Sequence, residues 1–567
     1  MNCAFNSLMT GFATRCLSHL ALTTLLILIF GMAPGCASSS QTTEAARGAQ
    51  MYEGFGNYTR AITTSSSDAQ RWFNQGMQLM YGFNHDEAVR SFEMAAKADP
   101  DAAMPWWGIA YCQGININDP AMSEQRSKRA SEAIESAIER IDNESPVEQG
   151  LIRALTARYE YPAPEDRTGL DQAYADAMQG VYNRFSDDPD VATLYAESLM
   201  NLQAWDYWDV DGSPKGSISE VVSVIEAVME AYPQHPGANH FYIHAVEASA
   251  DPDRAIPAAE RLTSIVPGSG HLVHMPSHIF IRVGRYPDAV DSNKAAILAD
   301  QAYFAKAPAP GFYSIYYAHN IHFLAFASMM SGDFATAIAA AEQLEAEIPE
   351  ENLRELAGII EGIMATNLHV LIRFGKWEQI LEQSDYPEWR LMSRATYSYA
   401  RSIANSALGR TEQARQEMEE FERRVELVPS EWYVFNNQVH DVLPIARAMM
   451  QGELLFREGR REEAFAILRE GIKHEDALIY DEPPAWMLPV RHALGALLMS
   501  DGQYAEAERL YREDLAQNRE NGWALTGLRN ALLEQGKTKE AKAIEPRLAV
   551  AFSKCDVEVS SSCFCEP

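Results

Sequence analysis

Apolar residues recur at intervals of three and four along most of the chain between about residues 70 and 545. This spacing predicts amphipathic helices, because residues three and four apart lie on one face of a helix. No segment of the sequence is rich in the apolar and polar alternation of β-strands. The pattern therefore predicts an all-α protein.

Small residues and prolines punctuate these helices at repeat spacing. The segment WFNQGMQLMYGFNHDEAVRSFEMAAKADP, which begins at Trp72, carries Gly76, Ala88 and Pro100 at the offsets of the 34-residue tetratricopeptide repeat (TPR). Gly76 and Ala88 allow two helices to cross closely, and Pro100 ends the second helix. The segment resembles a TPR, and this resemblance implies a TPR-type α-solenoid, a right-handed superhelix of helical hairpins.

Further copies share a turn glycine, a small residue in the second helix, or both. They are placed at Ala255 with Pro267, Gly284 with Ala289, Gly332 with Ala337 and Pro349, Gly375 with Trp377, Gly409 with Ala414, Gly459 with Ala464, Gly502 with Ala507, and Gly536 with Ala541. The predicted segments are a signal segment (1–36), a flexible tether (37–66), N-terminal TPR-like hairpins with insertions (67–235), central His-rich repeats (236–385), C-terminal repeats (386–550) and a Cys-containing tail (551–567).

The first segment has the organisation of a secretory signal. An apolar run from Leu20 to Met32 follows Arg15, and the sequence MAPGC resembles a bacterial lipobox in which Cys36 is lipidated. The alternative is ordinary signal-peptidase cleavage a few residues later. Both interpretations predict an extracytoplasmic, periplasmic protein, and the first also predicts a lipid anchor at the membrane.

Charge and cysteine content narrow the possible partners. The formal net charge of −32 argues against a nucleic-acid partner and favours cations or basic ligands, although it also serves solubility. In the tail, Cys555, Cys563 and Cys565 favour a disulfide in an oxidising compartment over a metal site.

Several stretches are longer and more specific than the repeat consensus. They are YGFNHDEAVRSFEMA, WWGIAYCQGININDP, NHFYIHAVE, HLVHMPSHIFIRVGRY and NGWALTGL. With them the chain resembles a family of bacterial TPR proteins that are usually exported and named only for their repeats. The resemblance implies export and a TPR fold, and it implies no activity.

Histidines cluster in the central repeats. When the repeats are aligned on their glycine, alanine and proline landmarks, seven histidines fall at positions 2, 5 and 9 of the first helix, which face the concave groove of a TPR superhelix. They are His240, His244, His271, His274, His278, His319 and His322. Glu247 is a further ligand or an acceptor for an imidazole N–H, and His369 is an additional candidate ligand. Pro276 predicts a bend or a helix start near Met275.

Imidazoles on neighbouring helices can reach a common ion, so the cluster predicts one or two transition-metal ions. An all-imidazole set suits copper, zinc, nickel or iron and disfavours calcium and magnesium; copper is favoured because bridging carboxylates are scarce. Three functional classes stay open: a copper-dependent oxidase or oxygenase, a metal-binding or delivery protein, and a non-catalytic scaffold that binds a protein or peptide partner. A peptide or small molecule is the possible ligand of the groove. The interpretation without a metal is a groove for a polar or acidic peptide, or a pH-sensitive surface.

Overall fold

The computed structural model describes residues 49–209, 212–307 and 311–564. The predicted signal segment and Cys36 lie outside these ranges. The prediction of an all-α fold is confirmed, because the described residues form helical hairpins and a single two-stranded β-ribbon, β1 (Tyr433–Val434) with β2 (Asn437–Gln438). No helix within the described ranges has the length and apolar character needed to cross a bilayer.

The α-helices are numbered here in chain order. The first eleven are α1 Ser67–Tyr81, α2 His85–Ala98, α3 Met104–Cys112, α4 Glu124–Glu139, α5 Pro146–Leu155, α6 Thr168–Arg184, α7 Pro189–Asn201, α8 Ile218–Ala231, α9 Pro236–Val246, α10 Ile256–Ile265 and α11 Gly270–His274. Short 3-10 helices span Ile141–Asn143, Thr156–Arg158 and Pro252–Ala255.

The remaining helices are α12 Pro276–Arg282, α13 Tyr286–Phe304, α14 Tyr313–Met330, α15 Phe334–Glu347, α16 Glu350–Glu355, α17 Ala357–Met364, α18 Thr366–Arg373, α19 Trp377–Glu382, α20 Leu391–Ala407, α21 Thr411–Val425, α22 Val439–Arg457, α23 Arg461–Asp476, α24 Val490–Ser500, α25 Tyr504–Gln517, α26 Gly522–Glu534 and α27 Thr538–Ala551.

The chain divides into two compact units. The N-terminal unit contains the described residues up to Met275 together with Leu298–Ser314, and the C-terminal unit contains Pro276–Ile297 and the described residues from Ile315 onward. This division falls inside the predicted central segment 236–385. The helix break predicted at Pro276 is present, since α11 ends at His274 and α12 begins at Pro276.

Residues 49–66 differ from the predicted flexible tether. They run as an extended segment whose Phe55 and Arg60 are buried, and the Gly54 carbonyl accepts a hydrogen bond from the Gly268 N–H at 2.8 Å. The two oxygens of the Asp190 carboxylate accept from the Tyr58 hydroxyl and from Arg60 Nη1. Composition alone indicated flexibility, whereas two aromatic residues, one arginine and a glycine hydrogen bond hold the segment in place.

Close helix crossings in the N-terminal unit depend on glycine. The ring of Phe92 on α2 lies between Gly76 of α1 and Gly108 of α3 and is fully buried. A Cβ atom at Gly76 would lie 2.4 Å from this ring, and one at Gly108 would lie 2.7 Å from it. The side chains at this helix crossing are packed so densely that there is no room for an added methyl group.

We therefore expect Gly76→Ala to destabilise the N-terminal unit by about 1–3 kcal/mol, because the Phe92 ring must leave its position. The matched control is Gly180→Ala on the exposed face of α6, where a Cβ meets nothing within 4 Å. That change should stabilise the protein by about 0.5–1 kcal/mol through helix propensity. Calorimetric melting measures the stability of both variants, and hydrogen exchange of residues 67–98 measures the local effect of Gly76→Ala. Equal changes in stability in the two variants would contradict the packing argument.

Candidate metal centre

The structure places the seven predicted histidines in two different units. His240, His244, His271 and His274 belong to the N-terminal unit, and His278, His319 and His322 belong to the C-terminal unit. Six of the rings are buried, and His319 is half-buried. Most of these side chains are therefore shielded from solvent, and the prediction that they face a concave groove stays a prediction.

Three of these histidines form a compact group in the N-terminal unit. His240 and His244 lie one turn apart on α9, and His271 lies on α11. Each offers a ring nitrogen, and the three ligand atoms all lie within 4.8 Å of one another. Nε2 of His240 is 3.1 Å from Nε2 of His271. His274 lies beside this group, with its ring centroid 6.1 Å from that of His271.

Hydrogen bonds at the far side of two rings fix their orientation. Nδ1 of His240 lies 2.7 Å from the carbonyl oxygen of Tyr81, the last residue of α1, and Nδ1 of His244 lies 2.9 Å from Oε1 of Glu247. A carbonyl and a carboxylate accept, so each Nδ1 carries the proton and donates it. A ring with its proton on Nδ1 can offer the lone pair of Nε2 to an ion, which is the arrangement commonly found around metal-bound histidines.

The short distance between the two Nε2 atoms tests whether the group fits a metal ion. If an ion lay at the usual metal–nitrogen distance of about 2.0–2.1 Å from both atoms, the nitrogen–metal–nitrogen angle would be about 100°. This angle is compatible with the tetrahedral and tetragonal geometries of zinc and copper. The carboxylate of Glu247, which is buried and hydrogen-bonded to His244, would offset the positive charge of a bound ion.

Two aromatic residues with unusual backbone conformations cover the group. Phe83 has φ 56° and Trp205 has φ 67°, in the left-handed region that non-glycine residues avoid. The Phe83 ring centroid lies 4.6 Å from that of His240 and 5.5 Å from that of His271, and the Trp205 ring lies 5.3 Å from that of His244. Such strain persists where surrounding structure enforces it, often at functional sites.

The sequence indicates that Phe83 is unusual, although the alignment of the repeats did not single it out. In seven later hairpins a glycine with positive φ stands two residues before the second helix, namely Gly284, Gly332, Gly375, Gly409, Gly459, Gly502 and Gly536. Phe83 occupies this same place before α2. An aromatic side chain therefore replaces glycine at a turn that favours glycine, and its ring covers the histidines.

Behind Tyr81, a buried network supports the carbonyl that holds His240. The Tyr81 hydroxyl donates to Asp190 at 2.6 Å, and the same carboxyl receives Arg60 Nη1 at 2.6 Å and lies 3.3 Å from His235 Nε2. Burial alone would raise the pKa of Asp190, but Arg60, His235 and the tyrosine hydroxyls outweigh it and hold this pKa far below its ordinary value. Asp190 is therefore a charged acceptor that fixes the end of α1.

In the C-terminal unit the histidines also lie against aromatic rings. The His278 and His319 centroids are 5.8 Å apart. Phe435, which has φ 52°, lies 5.8 Å from His319 and 5.6 Å from His322. Burial lowers the pKa of His322 to about 3, with a further contribution from His369, whose own pKa is lowered to about 4 by burial.

The comparisons with known proteins concern the fold. A family model described as tetratricopeptide repeat matches residues 498–544. None of the curated proteins compared with the chain matches it. Together with the stacked hairpins, the match makes the chain a tetratricopeptide-repeat protein with an all-α fold.

Solved TPR structures are similar at low identity. The human IFIT1 dimer with m7Gppp-AAAA is 11% identical, covers 86% of this chain and 90% of its own, and gives a TM-score of 0.31. The APC/C heterotetramer Cut9–Hcn1 is 12% identical, with 86% of this chain and 78% of its own covered and a TM-score of 0.30. The TPR domain of P58(IPK) is 14% identical, with 60% of this chain and 92% of its own covered and a TM-score of 0.18. These TM-scores are below 0.5, so the similarity carries no inference about a ligand.

We expect His322 to stay neutral at every pH between 5 and 8, since its pKa is about 3. The unfolded chain takes up this proton near pH 6.5, so the associated stability is complete above that pH and declines as the pH falls toward 3. Imidazole ¹⁵N spectra of histidine-labelled protein, with the His322 signal assigned from its loss in His322→Leu, measure this directly. A titration midpoint near 6.5 would show that the ring is solvated.

Proposed function

We propose that this TPR protein binds one transition-metal ion through His240, His244 and His271. The observation that carries the proposal is the buried group of three imidazoles, two of which bring their Nε2 atoms to 3.1 Å. Hydrogen bonds to the Tyr81 carbonyl and Glu247 direct the nitrogen lone pairs inward. The histidines of the C-terminal unit are outside this proposal.

The donor set supports copper as the ion. Three neutral nitrogen ligands suit copper, zinc, nickel and iron, whereas calcium and magnesium need oxygen ligands. Among divalent first-row ions, copper binds nitrogen sites most tightly. The only carboxylate that the structure places at the group within the N-terminal unit, Glu247, is hydrogen-bonded to His244, which argues against a carboxylate-bridged dinuclear zinc site.

Burial of the site favours a resident ion over a readily exchanged one. Phe83 and Trp205 cover the imidazoles, so ion release requires side-chain or backbone movement. Three protein ligands leave a coordination position for a further ligand, and a bound copper ion would supply redox chemistry there. Oxygen-dependent oxidation is therefore the activity to assay, and metal storage without turnover is the non-catalytic alternative.

Export is part of the same proposal. The apolar run before MAPGC and the lipobox-like cysteine support secretion to the periplasm, with lipid on Cys36 as an anchor. A disulfide at Cys563 fits an oxidising compartment. Radiolabelled palmitate incorporation that is lost in Cys36→Ala tests the anchor, and alkaline phosphatase fusions test the compartment.

We expect the untagged protein, purified without added metal or chelator, to contain about one equivalent of copper by inductively coupled plasma mass spectrometry. His240→Ala and His271→Ala should each abolish stoichiometric binding, while Glu247→Gln should weaken it about 10–100-fold because a neutral amide holds His244 less firmly. His474→Ala on the exposed face of α23 is the control. Absence of metal in the native protein and after reconstitution would contradict the proposal.

We expect Phe83→Gly to accelerate metal loss to a chelator at least tenfold, because it removes the covering ring. The glycine suits the left-handed turn, so helical content should be unchanged and the turn less strained. Glu520→Gly relieves the same backbone conformation (φ 53°) in the C-terminal unit and should leave the release rate unaltered. Equal release rates in all three proteins would show that Phe83 does not close the site.

A further inference from the structure

The turn glycines of the C-terminal unit differ in what lies against them. At Gly409, Gly459, Gly502 and Gly536 an added Cβ would meet nothing within 4 Å. At Gly332 it would lie 2.7 Å from Sγ of Cys555, and at Gly375 it would lie 2.6 Å from Cβ of Phe564. The C-terminal tail therefore packs against two of these turns, and it can approach them closely because glycine has no side chain.

The repeats contact both the main chain and the side chains of the tail. Asn530 Nδ2 donates to the Ser560 carbonyl at 2.7 Å, and Arg373 Nη1 lies 3.5 Å from the Ser562 carbonyl. The Ser562 hydroxyl, which is fully buried, donates to the His492 carbonyl at 2.8 Å and lies 2.8 Å from the Tyr511 hydroxyl. The tail itself has no helix or strand in the described residues.

Two side chains anchor the ends of this segment. The Asp556 carboxylate accepts the N–H groups of Phe334 at 2.7 Å and of Ala335 at 2.9 Å, at the N-terminus of α15, where the helix dipole favours negative charge. The Phe564 ring lies 5.9 Å from the ring of the buried Trp523. An acid, a serine and an aromatic are thus held on one extended chain.

We propose that this surface is a peptide-binding site and that residues 555–564 are its intramolecular ligand. The ligand class is an extended peptide with an acidic residue, a serine and an aromatic residue at the spacing of Asp556, Ser562 and Phe564. Main-chain capture together with a few side-chain anchors is how proteins commonly bind extended peptides. Direct attachment to α27 gives the tail a high effective concentration, so it excludes other peptides while it is docked. The site is independent of the proposed metal centre.

The first test removes the tail and supplies it in trans. A chain ending at Ser553 should bind a fluorescent synthetic peptide of residues 554–567 with one-site saturation in an anisotropy titration. The full-length chain should bind it at least tenfold more weakly. Peptides with Asp556→Ala or Phe564→Ala should lose at least tenfold in affinity, and a scrambled peptide should not bind. Equal binding of the scrambled peptide, or no binding to a truncated chain with native circular dichroism, overturns the proposal.

A second test keeps the full chain. Gly332→Asn with Gly375→Asn adds a Cβ beneath the tail while asparagine tolerates the left-handed turn. Gly409→Asn with Gly459→Asn makes the same change where space is open. Amide exchange of residues 555–564 should accelerate at least tenfold, and the synthetic peptide should bind, only in the first variant. Unchanged exchange there, or equal acceleration in both, overturns the proposal even if the truncated chain fails to fold.

Discussion

Stacking of helical hairpins is the constraint on which this structure depends. A single hairpin cannot bury its apolar face alone, so each one packs on its neighbours and the helices approach closely. In the N-terminal unit the close approach is visible where Phe92 fills the space left by Gly76 and Gly108. The same packing buries polar side chains, and each buried imidazole must then be oriented by a partner. His240 and His244 obtain theirs from the end of α1 and from Glu247.

Departures from the repeat pattern concentrate around the histidines. Four described non-glycine residues have positive φ, and three of them are aromatic residues that contact histidine rings: Phe83, Trp205 and Phe435. A left-handed residue with a side chain costs about 1–2 kcal/mol, which the surrounding packing must offset. At Phe83 the comparison is internal, since seven other hairpins use glycine in that place. Covering the imidazoles is the physical gain that accompanies this strain.

The turn between the two helices of a hairpin serves different purposes along the chain. At Phe83 it carries a ring to the histidine group, whereas at Gly332 and Gly375 its lack of a side chain admits the tail. At Gly409, Gly459, Gly502 and Gly536 it only reverses the chain. One backbone conformation therefore supports a candidate metal centre in one unit and a peptide contact in the other.

The sequence by itself determined the helical fold, because apolar spacing and the landmarks from Gly76 to Ala541 are local signals that need no knowledge of distant contacts. The sequence also identified seven histidines as candidate ligands and predicted the helix break at Pro276. Only the tertiary structure decided that His240, His244 and His271 share one group, that Glu247 and Tyr81 orient two of the rings, and that residues 49–66 and the tail are bound. These facts depend on contacts between residues far apart in the chain. Helical periodicity gives the face on which a side chain lies but not what packs over that face.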